Sequence, residues 1–111
     1  MTVPAMHAGL ANGRWHTMPL VTQLANVGSE VDRAIRAHEH GNSDRWTSAF
    51  ARALELFDLT ATDDRWRGHR RREILRAREL FCGIFYAMPP VSADADFLRK
   101  YFLEFAVAAR K

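Results

Sequence analysis

Apolar residues along the chain fall into four runs with helical spacing. In the first, Leu20, Leu24, Val27, Val31, Ala34, Ile35 and His38 recur three and four positions apart and draw one stripe. The stripe predicts a helix from about Pro19 to His40. Proline suits the first turn, where its missing N–H has no helical partner anyway. Gly41-Asn42 ends the run, because glycine readily takes the left-handed C-cap. Gly28 lies beside the stripe. A mid-helix glycine costs about 1 kcal/mol relative to alanine, so its placement suits the close approach of another helix.

The second run starts at once, with Asn42 or Ser43 as cap and Asp44 near the helix N-terminus. Trp46, Ala49, Phe50, Ala53, Leu54, Leu56 and Phe57 form its inner face. Thr60 to Asp64 is a break, with Asp63 or Asp64 as the next cap. The third helix starts at Arg65 or His69 and reaches Tyr86, with Ile74, Ala77, Leu80, Phe81, Ile84 and Phe85 inward. Met88-Pro89-Pro90 stops it. The fourth helix starts at Ser92-Ala93-Asp94 and continues to Arg110-Lys111. Phe97, Leu98, Tyr101, Phe102, Phe105, Ala106 and Ala109 make its stripe. No stretch alternates as a strand would, and no internal repeat is visible.

The pattern predicts an all-α fold, an up-down-up-down antiparallel four-helix bundle over residues 17–111. Residues 1–16 carry no periodicity and read as a loose N-terminal tail. Composition agrees: 111 residues, 48% hydrophobic and 26% charged, suit one domain and exclude a disordered chain. The length is too small for a Rossmann, TIM-barrel or kinase enzyme. The single cysteine, Cys82, excludes an internal disulfide framework and reads as a small buried hydrophobe. The longest uncharged stretches are shorter than the ~20 apolar residues a membrane helix needs. No basic segment followed by an apolar core opens the chain, and the expected compartment is the cytoplasm.

Charge changes the picture more than composition does. The net charge is only +3, yet residues 65–78 hold seven arginines against one acid, Glu73. The remainder of the chain is net acidic, so a modest total hides a polarised molecule. Arg65, Trp66, Arg67, His69, Arg70, Arg71, Arg72 and Arg76 are therefore candidates for binding nucleic acid or an acidic partner. Guanidinium groups take phosphate bidentately, and Trp66 offers a face for a base. The competing reading is a solvated helix start whose arginines pair locally with Glu73 and Glu79.

Gln23-Leu24-Ala25-Asn26-Val27-Gly28-Ser29-Glu30-Val31, the segment from Arg52 to Thr60 and that from Lys100 to Arg110 resemble a group of small prokaryotic helical proteins with no assigned activity. That resemblance spans about residues 15–111 and implies a fold and no reaction. The chain also looks loosely like HEPN-type bundles, some of which are toxin-associated RNases. Their signature pairs Arg with a following His. Four residues separate Arg33 from His38 and six separate it from His40. Ala34 after Arg33 departs from that pattern, and the pair lies in the first helix rather than late in the domain.

Other clusters carry less chemistry. In His38-Glu39-His40 the two imidazoles diverge around the helix, so no metal site is expected, and no cofactor. Asn26, Ser29, Glu30 and Arg33 form a polar row on the first helix. The fourth helix presents a broad aromatic face, of which Tyr101, Phe102 and Phe105 are candidates for a subunit interface. The leading expectation is a non-enzymatic protein-interaction or self-association module, a homodimer or other homo-oligomer, with a protein partner as a variant. The alternative is a nucleic-acid-associated bundle of toxin–antitoxin type, binding RNA or DNA through residues 65–78. Nucleic acid is the less favoured partner, and no membrane is expected.

Overall fold

A computed structural model of the chain describes residues 13–86 and 92–110. The described residues are helical, with no strand among them: α1 (Leu20–Glu39), α2 (Ser43–Ala61), α3 (His69–Tyr86) and α4 (Ser92–Ala109). Short 3-10 turns at Trp15–Thr17 and Asp64–Trp66 precede α1 and α3. None of the described helices is long and apolar enough to cross a membrane. The expected stop at Met88-Pro89-Pro90 and the terminal Lys111 lie outside the described residues.

Local chemistry sets the element ends. Pro19 stands just before α1, and its carbonyl accepts the amide of Gln23 at 3.0 Å. At the other end Gly41 takes φ +68°. Its amide reaches the His38 carbonyl at 3.1 Å, and the Asn42 amide reaches that of Ala37 at 2.9 Å. This is the Schellman closure, which satisfies carbonyls that a helix end otherwise orphans. Asn42 then caps α2 directly, its Oδ1 accepting the Arg45 amide at 3.1 Å. One turn therefore serves two helices.

α1 packs against α2 and α4, and α3 packs against the same two helices. Leu24, Val27, Val31, Ala34 and Ile35 of α1 meet Ala49, Ala53, Leu56 and Phe57 of α2. Ile74, Ala77, Phe81 and Ile84 of α3 and Ala95, Leu98 and Phe102 of α4 complete the core. Gly28 allows α1 and α4 to touch: a Cβ there would lie 2.5 Å from the Cβ of Phe102.

Three expectations change. Trp15, placed by pattern in the loose tail, is 1% exposed and belongs to the core; residues 1–12 of that stretch are outside the described residues. Phe97 and Ala109, expected in the α4 stripe, face solvent, and Ala95 is buried instead. Phe102, a candidate interface residue, is buried against Gly28 and Phe57.

Candidate functional site

The basic segment begins where α2 ends, around one buried carboxylate. Asp63 accepts from Gln23 Nε2 at 3.1 Å, from the Arg65 amide at 3.0 Å and from Arg65 Nη2 at 2.7 Å. These donors, the Arg65 guanidinium foremost, hold its carboxyl far below the usual range. Arg65 Nη2 also donates to the Met18 carbonyl at 2.7 Å, tying the segment before α1 to the end of α2.

Trp66 is not a free platform. Its Nε1 donates to Gln23 Oε1 at 2.7 Å, and the Arg65 guanidinium lies 4.5 Å from the ring centre, covering one face. Trp15 closes the same end of the molecule. Its Nε1 donates to Thr60 Oγ1 at 3.0 Å, while its carbonyl accepts Gln23 Nε2 at 2.9 Å. Buried polar groups are costly unless paired, and each member of this network has its partner.

The remaining arginines divide. Arg71 sits over the C-terminus of α2, donating to the carbonyls of Ala61 and Asp63. Arg67 pairs with Asp64 at 3.0 Å, Arg70 with Glu73 at 3.3 Å and Arg78 with Asp58 at 2.9 Å. His69 stands 3.9 Å from Glu73 and is otherwise exposed. Of the seven arginines, Arg72 and Arg76 alone have neither an ion pair nor a side-chain hydrogen bond among the described residues. The structure thus divides the eight named residues, turning Trp66 and Arg71 toward the end of α2 and leaving Arg72 and Arg76 in solvent, and five of the segment's seven arginines hold intramolecular partners.

The α3–α4 side is different. A groove of about 450 Å³ runs between these helices, floored by Ala77, Leu80, Gly83, Phe97 and Tyr101. Phe97 and Tyr101 lie nearly parallel, with ring centres 6.4 Å apart. Tyr101 donates its hydroxyl to Glu73 Oε1 at 2.6 Å. Burial, then this bond to a carboxylate, pushes its pKa well above the ordinary phenol value, so it stays protonated at neutral pH. Arg76, Glu79 and Asp94 rim the groove and form no ion pair among the described residues. Phe105 is half-buried against Tyr101.

Sequence reading missed a second cleft, of about 800 Å³, between α1 and α2. Arg33, Arg36, Arg45 and Arg52 line it with His40. No sequence signal announces it, because its residues are spread over two helices and only packing joins them. Of the polar row on α1, Arg33 lines this cleft, and Glu30 accepts from it at 2.8 Å without lining the cleft itself. Asn26 and Ser29 bond back to the carbonyls of Thr22 and Ala25 instead.

His38 and His40 separate as the helix period requires. His38 packs against the rings of Trp46 and Phe85, and His40 Nδ1 lies 2.7 Å from the Arg36 carbonyl. Among the described residues no group of three or more His, Cys, Asp or Glu side chains is placed to hold a metal ion. Cys82 is half-buried, and burial pushes its thiol pKa up, away from nucleophilic use at neutral pH. Set against protein-family models, curated proteins and solved structures, the chain finds no match, so its site is read from its own geometry.

Proposed function

We propose that this protein is a non-enzymatic association module whose partner is a second copy of the chain, docked along α4 and its groove with α3. One observation carries the reading. All five strongly exposed large apolar side chains among the described residues sit on α3 or α4: Leu75, Tyr86, Phe97, Leu103 and Val107. Phe97 is 59% exposed, Leu103 61% and Tyr86 85%, while α1 and α2 expose none of this class. Apolar surface concentrated on one pair of helices supports a contact face along α4, with Phe97 in the groove toward α3 and Leu103 on the side toward α1.

The rim of the groove favours a copy over an unrelated partner. It carries a cation, Arg76, beside two anions, Glu79 and Asp94, none of them in an ion pair among the described residues. A two-fold axis brings such a mixed rim against itself in complementary register. The three-residue link from α1 to α2 and the ring of neighbours α1–α2–α3–α4 support an up-down-up-down antiparallel bundle as the scaffold of this face. The lone half-buried thiol supports a cytoplasmic setting.

Light scattering on purified protein tests the reading. The expected mass is twice 12.7 kDa, falling to that of one chain in Phe97→Asp, whose helicity stays unchanged. A wild-type monomer at every concentration overturns the proposal, as does a Phe97→Asp variant that remains dimeric.

A further inference from the structure

We propose that the cleft between α1 and α2 binds a multiply phosphorylated small ligand. The inference is independent of self-association, because it concerns the opposite helix pair. Its walls hold four arginines and His40, with Asp44 as the one acidic residue lining them among the described residues. Its volume, about 800 Å³, is that of a small-molecule site.

Two carboxylates outside the lining, Glu30 and Asp32, hold three of these arginines, Arg33, Arg36 and Arg52, while leaving part of each guanidinium unused. Glu30 is buried and shared. Its Oε1 accepts Arg33 Nη1 at 2.8 Å, and its Oε2 accepts Arg52 Nε at 3.1 Å from the facing helix. Asp32 is also shared, between Arg36 Nε at 2.9 Å and Arg99 Nε at 3.2 Å. Glu30 is thus divided between two arginines of the wall, and four arginines face Asp44 as the one acid in the lining among the described residues, so the wall keeps an excess of positive charge. Arg33 spends one terminal nitrogen and Arg52 only its Nε, and Arg45 has no ion pair among the described residues. Guanidinium groups held by a buried partner lose less rotamer entropy on meeting an anion.

The same lining selects the ligand class. Asn42 and Ser48 add hydrogen-bonding groups, and Ala37 and Ala49 line it beside them. Among the described residues no Phe, Tyr or Trp lines the cleft, and the one ring there is the His40 imidazole, so it lacks the broad stacking platform that single-stranded nucleic acid uses. Several fixed cations around a bounded space instead suit two or more linked phosphates.

Calorimetric titration with inorganic tripolyphosphate at about 150 mM salt tests this. The expected result is saturable binding, tighter than that of inorganic phosphate or sulfate. Arg45→Gln and Arg36→Gln each weaken it about tenfold, the scale of one charge-assisted contact. Both residues are exposed and leave the Glu30 bridge intact, so the fold is kept. Arg72→Gln/Arg76→Gln on α3 binds as the wild type does. No binding at about 1 mM tripolyphosphate overturns the proposal. So does sulfate binding as tightly, or an equal loss in the α3 variant. A short oligoribonucleotide that binds through Arg36 and Arg45, and that tripolyphosphate fails to displace, overturns the small ligand in favour of a strand.

Discussion

Gly28 and Gly83 are both helical glycines, and a methyl group added to each meets opposite surroundings. At Gly28 it falls 2.5 Å from Phe102 Cβ, an atom fixed to the α4 backbone, so the two helices must part. At Gly83 nothing lies within 4 Å. Gly83→Ala is expected to stabilise the dilute protein by about 0.5–1 kcal/mol, the usual helical gain over glycine. Gly28→Ala is expected to destabilise by about 1–3 kcal/mol, because overpacking outweighs that gain. Chemical denaturation of the two variants reads the contrast, and equal effects of the same sign overturn it. The special role of Gly28 was legible in the sequence, since a costly residue stood beside an apolar stripe. The stripe placed Phe102 inward, as it lies, but could not separate it from the interface candidates, because the α4 stripe holds more aromatic residues than one face can bury. Only the partner glycine decides which one goes in.

At the scale of elements, the link from α2 to α3 shows why a basic run misleads. Charge alone gives Arg65, Trp66 and Arg71 a binding role; in the fold they lock the end of α2 through Asp63, Gln23 and the Ala61 carbonyl. Trp15 escaped its pattern for a related reason. An isolated aromatic residue in an aperiodic segment has no stripe to reveal it, yet Thr60 and Gln23 wait for its polar groups. The Asp63 carboxyl gives the network a pH signature. Its pKa is depressed in the fold, so its contribution is complete above the unfolded value of about 3.9 and is lost as pH falls toward the folded one. Wild-type stability therefore declines from about pH 5 and is still declining at about pH 2. Asp63→Asn is expected to be less stable at neutral pH by about 1–3 kcal/mol, since arginine donors lose a charged acceptor. Its loss of stability through the acid range is shallower than that of the wild type. Parallel denaturation profiles for the two proteins across that range overturn the assignment.

For the whole molecule, the two helix pairs divide the surface by chemistry. α1 and α2 bury their apolar residues and turn arginines outward around a cleft, whereas α3 and α4 leave large apolar side chains in solvent. The four helices were legible in the periodicity, boundary by boundary, because each pattern is local. This division was not, because it depends on which residues of different helices become neighbours. It has a thermodynamic consequence. If α3 and α4 are covered by a second copy, unfolding separates two chains, and mass action stabilises the native state as protein is added. Each tenfold rise in concentration then contributes about 1.4 kcal/mol per dimer. The melting temperature is expected to climb steadily over two decades of concentration, and to stay constant in Phe97→Asp. A flat profile for the wild type means that the exposed apolar side chains of α3 and α4 stay uncovered, and the association reading falls with it. The cleft on α1 and α2 is untouched by that outcome, since every residue lining it comes from one chain and from the other helix pair.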